Sequence, residues 1–166
     1  MLALFTDLHF TELLVIAALA AGCPPQPRVD LVEAAFHEQS AFLSIGGTSA
    51  DDVWAVGAQA DPLGPPTLLH RTGGEWREVE VAETLHDLWW VHAFEDGPVF
   101  ISGGGATVLR VEGETIERTP TPVFFGNTVY GVWGASPTDV WAVGGFAGRD
   151  GFAWRFDGRS EEHTSE

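Results

Sequence analysis

The chain has 166 residues and a mass of 17.9 kDa, the size of one modest domain. With 24 Asp+Glu against 8 Lys+Arg, its net charge of −16 excludes binding driven by a basic surface, whether to nucleic acid or to an anionic membrane. Hydrophobic residues make up 45%, which excludes a disordered acidic chain, while the lack of Lys and a single Cys exclude Schiff-base chemistry, a P-loop, an internal disulfide and an all-Cys metal cage.

Residues 1–22 read as a signal peptide. Leu13 to Gly22 is an uncharged apolar run, LLVIAALAAG. It is too short to span a bilayer, which takes roughly 20 residues, and it suits the apolar core of an export signal. It ends in Ala20-Ala21-Gly22-Cys23, followed by Pro24, Pro25 and Pro27. Small residues before a cysteine let a peptidase approach closely. This segment resembles the lipobox of bacterial lipoproteins. The resemblance implies that Cys23 is lipidated and becomes the new N-terminus, with a membrane as partner. Several acyl chains anchor stably where one does not. It also implies a place in the bacterial cell envelope, lipid-anchored and facing the periplasm or the exterior. Plain secretion, or a buried N-terminal helix with a chance cysteine, are the alternatives. Residues 23–40 read as a tether, because PPQPR cannot be helical. Leu31 to Gln39 fits either a short helix or a strand.

The rest of the chain repeats. Asp52-Val53-Trp54-Ala55-Val56-Gly57 recurs as Asp139-Val140-Trp141-Ala142-Val143-Gly144, with a degenerate copy at Pro98-Val99-Phe100-Ile101-Ser102-Gly103. Gly47-Thr48-Ser49 precedes the first copy as Gly134-Ala135-Ser136 precedes the last. A second block follows each copy: Leu69-His70-Arg71-Thr72-Gly73, Leu109-Arg110-Val111-Glu112-Gly113 and Trp154-Arg155-Phe156-Asp157-Gly158. Trp76 and Ile116 follow the Gly of the first two blocks.

Each unit predicts four strands, from β-branched and aromatic residues punctuated by Gly, Pro and Asp. The first is expected over Ala41–Gly46, Val53–Gly57, Thr67–Arg71 and Trp76–Val81. The second is expected over His86–His92, Pro98–Ser102, Thr107–Val111 and Thr115–Arg118. The third is expected over Thr128–Trp133, Asp139–Gly144 and Gly151–Phe156, and lacks a fourth. Runs such as VWAV and VYGVW are apolar on both faces, as expected of sheets covered on both sides. The fold class is therefore all-β. A period of roughly 40–45 residues with four antiparallel strands is that of a propeller blade. The expected units are 41–84, 85–127 and an incomplete 128–158.

Physical roles follow for the repeated residues. Asp52 and Asp139 are expected to accept backbone N–H groups and lock the turn before their strand. Trp54, Phe100 and Trp141 are expected to fill the gaps between units from equivalent buried positions. Gly73, Gly113 and Gly158 suit turns needing positive φ, and Gly57 and Gly144 close the repeated strand. The pattern resembles secreted bacterial repeat propellers with S-x-x-D-V-W-A-V-G units, and more distantly Asp-box and kelch propellers. It covers about residues 41–158, and it implies a fold rather than an activity.

Residues 159–166, RSEEHTSE, replace the expected last strand and resemble the translation of a sequencing-adapter oligonucleotide. The expectation is a chain cut inside its third unit, with Trp141 and Trp154 left uncovered.

No residue pattern marks a catalytic centre, a metal site or a cofactor. His86 and His92 share a face of a predicted strand and, with His37 or His70, could ligate a metal; packed or solvated imidazoles are the preferred reading. Asp51-Asp52 and Glu95-Asp96 lack a calcium-loop spacing and read as turns. Gly103-Gly104-Gly105 reads as a tight hairpin, not a phosphate cradle. Tyr130 lies in a packed strand, Arg110 and Arg155 are repeat-equivalent, and Ser44, Ser49 and Ser136 lack a nucleophile elbow. Two function classes remain. One is a surface-tethered module that binds an unknown protein or glycan and does no chemistry. The other is part of a propeller enzyme, sialidase-like or otherwise glycan-active, with its catalytic residues outside this sequence.

Overall fold

The computed structural model describes Glu33 and residues 40–122, 126–146 and 148–158. The signal segment, Cys23, His37, most of the tether and the RSEEHTSE tail lie outside the described residues. All of the described residues but Glu33 belong to one unit, Ala35–Glu166.

That unit is all-β: the described residues form eleven strands and no helix. The first sheet contains β1 (Phe42–Ser49), β2 (Asp52–Gln59), β3 (Pro66–Thr72) and β4 (Glu75–Glu78). The second contains β5 (Leu88–Ala93), β6 (Val99–Gly103), β7 (Thr107–Glu112) and β8 (Thr115–Arg118). The third contains β9 (Thr128–Ser136), β10 (Asp139–Gly145) and β11 (Gly151–Phe156). Every neighbouring pair is antiparallel, and each sheet follows chain order. The β3–β4 and β7–β8 hairpins turn where the sequence supplies glycine, with φ 59° at both Gly73 and Gly113, and Gly158, two residues past β11, has φ 77°.

Several strand ends differ from expectation: β1, β2 and β9 run on to Ser49, Gln59 and Ser136, while β4 ends early and β5 starts late. β4 stops at Glu78, and Val79 adds a single further bond to the Leu68 carbonyl before the chain leaves the sheet. Val81 is nevertheless buried, because its side chain enters the core between the first two sheets. β5 begins at Leu88 rather than His86, so His86 and His92 do not share a strand. The Asp87 carbonyl is instead engaged by the Gly104 N–H, at 3.0 Å.

The sheets stack in chain order. The forward face of a sheet is defined here as the one turned toward the next sheet in the chain. Trp54, Val56 and Leu68 form the forward face of the first sheet and pack on Val91, Val99, Ile101, Leu109 and Val111 of the second. Phe100 and Val108, on the forward face of the second, pack on Val132, Val140 and Ala142 of the third. Each large aliphatic side chain removed from water contributes about 1.5–3 kcal/mol, so these two interfaces are the core. The first strands of the sheets are neighbours, β1 beside β5 and β5 beside β9.

The register is the same in all three sheets. Trp54 sits opposite Gly46 and His70, Phe100 opposite His92 and Arg110, and Trp141 opposite Trp133 and Arg155. Trp54 and Phe100 are buried, as expected; Trp141 is 43% exposed, unlike its repeat equivalents but as expected of a third unit left uncovered. The repeat alignment holds; what differs is the neighbour, since the forward face of the third sheet meets no described sheet. Trp154, expected to be bare, lies instead on the covered face, stacked on Phe152 at 3.8 Å.

Candidate functional site

Two arrangements bring polar side chains together. The first is built on the repeat. In the first sheet the Asp52 carboxylate accepts from Thr48 Oγ1 at 2.5 Å and from Trp54 Nε1 at 3.2 Å, with His70 Nε2 at 2.9 Å. The His70 ring stacks on Trp54, with centroids 3.8 Å apart and planes 10° from parallel. Burial pushes the Asp52 carboxyl up, but the bonds from Thr48, His70 and Trp54 outweigh it and hold the carboxyl below its ordinary value.

In the third sheet Arg155 replaces the histidine. Its Nε donates to Asp139 Oδ1 at 2.8 Å, and its guanidinium lies over Trp141, 5.6 Å from the ring centroid. The bond from Arg155 holds Asp139 below its ordinary value and pushes Arg155 up. In the second sheet Pro98 and Phe100 stand at the Asp and Trp positions, and Arg110 pairs with Glu112 at 2.6 Å. Arg110 and Arg155 thus hold the same register with different partners.

These contacts correct the expected role of Asp52: its partners are side chains on three segments. The backbone of that turn is held by its neighbours. The Asp51 N–H donates to Ser49 Oγ at 3.2 Å, and Arg71 bonds both the Asp51 carboxylate, at 3.0 Å, and the Ala50 carbonyl. Asp51 and Asp52 therefore serve different partners. Ser136 lies 3.3 Å from Thr138 Oγ1 in the equivalent turn of the third sheet. Ser44 lies within β1, opposite Val56. Glu95 and Asp96 form the β5–β6 turn, closed by the Gly97 N–H on the Phe94 carbonyl at 3.1 Å, with Asp96 at φ 52°.

The second arrangement is a cleft of about 600 Å³ at one rim of the stack. Gln59 at the end of β2, the His86-Asp87 approach to β5 and the Gly104-Gly105-Ala106 loop form part of it. Trp89, Arg118 at the end of β8 and Thr128 at the start of β9 complete the part that matters chemically. The wall is knitted by polar contacts. Asp87 Oδ1 accepts the Gln59 N–H at 2.9 Å, and Arg118 donates to the Gly105 carbonyl at 2.6 Å. Thr121 donates to the Ala106 carbonyl at 2.9 Å, and the Ala106 N–H donates to the Asn127 carbonyl at 2.8 Å.

The three-glycine hairpin explains itself here. The β6–β7 connection is tight, as expected, and the His86 ring lies against its backbone. A Cβ on Gly105 would run into that ring, and Gly105 has φ 63°. Ala106, with φ 54°, holds a left-handed conformation that costs a residue bearing a Cβ.

The histidines considered for a metal are dispersed. His86 packs on the glycine loop, His92 meets Phe94 edge-on at 4.7 Å, and His70 belongs to Asp52 and Trp54. Among the described residues no three His, Cys, Asp or Glu side chains are grouped to hold a metal ion. Among them, too, no helix is long and apolar enough to cross a membrane.

Sequence reasoning missed Gln59, Asp87, Trp89, Arg118 and Thr128. Apart from Asp87 and Trp89, they are far apart in sequence, and they come from three sheets and the approach to one of them, so no linear spacing links them. Compared with known proteins, the chain matches no protein-family model, no curated protein and no solved structure.

Proposed function

We propose that the protein is a surface-tethered extracytoplasmic module of repeat β-propeller type, anchored through lipid on Cys23, that binds an envelope component rather than transforming it. The single observation that carries this reading is the stacking of three antiparallel sheets in one shared register, with their first strands adjacent. That arrangement is how blades succeed one another around a propeller axis. Its rim loops, held on rigid sheets, are where such a scaffold presents binding residues. The lipobox-like Ala20-Ala21-Gly22-Cys23 supports the tether, and the rim cleft of about 600 Å³ supports binding, being of the size that takes a small ligand.

The test uses the full chain with Cys23→Ala, so that acyl chains do not hold it to membranes. Saturable co-sedimentation of this variant with isolated envelope material is expected, together with fatty-acid labelling of the unmodified chain alone. Equal labelling of both chains removes the lipid anchor. Loss of saturable co-sedimentation removes the binding role, and turnover of envelope glycan by the chain replaces it with the enzymatic class.

A further inference from the structure

The first strand of each sheet carries a β-bulge at the same place. Pairing skips from Phe42 to Ser44 in β1, from Leu88 to Trp90 in β5, and from Val129 to Gly131 in β9. The bulged residues are Leu43, Trp89 and Tyr130, and they are equivalent in register to one another. A bulge adds a residue on one side of a ladder and re-aims its side chain. All three side chains are exposed, at 39%, 36% and 43%. β1, β5 and β9 are neighbours, so the three bulges bring an apolar group to the same level of adjacent strands. Trp89 and Tyr130 meet edge to face with centroids 5.6 Å apart. The repeat itself explains the bulge. Gly57, Gly103 and Gly144 lie opposite it, and a Cβ on any of them would strike a carbonyl oxygen of the first strand's approach: Ala41, Asp87 and Thr128 respectively.

Trp89 also lines the rim cleft, and there the chemistry narrows. The cleft is also lined by Gln59, whose side-chain amide N–H donates to the Gly64 carbonyl at 2.7 Å and leaves its oxygen to accept, and by His86, Thr128, Asp87 and Arg118. One acidic and one basic side chain leave the wall without net formal charge among these groups. An anionic ligand would meet Asp87 and a chain of net charge −16, and a cationic one would meet Arg118. Mixed donors and acceptors around an exposed indole suit a ligand that is neutral, rich in hydroxyls and apolar on one face. A pyranose ring has that combination, since its axial C–H groups form an apolar patch and its hydroxyls point outward. The cleft volume of about 600 Å³ accommodates one or two such rings.

We infer that the rim cleft is a binding site for a neutral saccharide, with Trp89 as the stacking platform, Tyr130 holding that indole in place and Gln59, His86, Asp87 and Arg118 reading the hydroxyls. The inference deepens the binding role proposed above and rests on it, naming the site and the ligand class. The probes are cellobiose, maltose, lactose and the N-acetylglucosamine disaccharide, with sialyllactose as the anionic control. They are titrated into the full chain carrying ¹⁵N-labelled tryptophan. A saturable shift of the Trp89 indole N–H resonance is expected with at least one neutral disaccharide, and a weaker response to the anionic control. Trp89→Ala should weaken binding at least about tenfold, as loss of a central aromatic contact does, while Trp141→Ala leaves it unchanged. Should Trp89→Ala fail to fold, the wild-type indole shift and Arg118→Gln, which should weaken binding of the same disaccharide, carry the test. Unmoved Trp89 resonance with every neutral sugar, or binding unaltered in a folded Trp89→Ala chain, overturns the site. Saturable co-sedimentation with envelope material alongside such a result leaves the binding role standing and removes only its assignment to this cleft.

Discussion

The segments Asp52–Gly57 and Asp139–Gly144 are the same six residues in the same register, and they differ in what faces them. Val56 is fully buried and Val143 is 51% exposed; Trp54 is 5% exposed and Trp141 43%. The difference lies in the neighbouring sheet. The forward face of the first sheet is covered by Val91, Val99 and Ile101, whereas that of the third meets no described sheet. The backbone pairing of the two segments is alike, so local sequence and ladder hydrogen bonds suffice to form the strand. Burial, and with it most of the stabilisation, comes from the partner sheet.

The comparison is broken most forcefully at the aromatic position. Phe100→Ala and Trp54→Ala should each cost about 3–5 kcal/mol, because each empties a well-packed site between two sheets. Urea unfolding of the purified variants measures this. Losses below about 1 kcal/mol at both positions would mean that the two interfaces are not the core. A second contrast uses shape without volume. Val56→Thr should cost about 1–3 kcal/mol, since the hydroxyl enters an apolar interface formed by Leu68, Val91 and Ile101. Ser102, at the same register position of the second sheet, is fully buried and its hydroxyl makes no hydrogen bond. The equivalent face of the second sheet, which packs on the third, therefore already bears such a cost once.

The strands, their grouping and the repeat were legible in the sequence because each rests on local chemistry: β-branched runs, the glycines that turn the hairpins, and the Asp-Val-Trp block. Faces were legible only in part. Nothing in Asp139–Gly144 distinguishes it from Asp52–Gly57, so the exposure of Trp141 had to come from its surroundings; Trp154 was misjudged for the same reason, since its side of β11 faces the second sheet. Asp52 was read as a backbone lock because its bonds to Thr48 and His70 cross strands. The cleft was illegible for a related cause: Gln59, Asp87, Trp89, Arg118 and Thr128 converge only through three sheets. One signal was present. Phe42-Leu43, Leu88-Trp89 and Val129-Tyr130 are aligned apolar pairs that break strand alternation, and each marks a bulge.

The comparison can be sharpened with pH, since the Asp52 carboxylate is held by three side chains and that of Asp139 chiefly by one. The folded-state carboxyl of Asp52 lies below its ordinary value of 3.8. Its contribution to stability is thus fully present above that ordinary value and is lost as pH falls through the depressed folded value. Asp52→Asn should remove this acid sensitivity and cost about 1 kcal/mol near neutral pH through the weakened bonds to Trp54 and His70. Unfolding midpoints of the two chains, measured from neutral to strongly acidic pH, should converge at the acid end. Parallel curves would show that Asp52 does not carry the linkage. Asp139, held mainly by the exposed Arg155 and more weakly by Trp141, should show the same sign with a smaller amplitude, because solvent screens the Arg155 pair.

The smallest expected effect is the most discriminating. Trp141 holds the register of Trp54, sits across from Trp133, and has the Arg155 guanidinium above its ring. Were the aromatic repeat important for the strand itself, removing Trp141 would cost as much as removing Trp54. If burial between sheets sets the cost, Trp141→Ala should change stability by no more than about 0.5 kcal/mol, the range of surface substitutions. A modest loss within that range is expected from the exposed cation–π contact with Arg155. Trp133→Ala and Val143→Thr lie on the same face and should behave alike, since Trp133 is 59% exposed. Urea unfolding again provides the measurement, and the Trp54→Ala chain provides the scale. A cost at Trp141 matching that at Trp54 would place the aromatic's contribution within its own sheet, and the partner sheet would no longer explain why two identical segments differ.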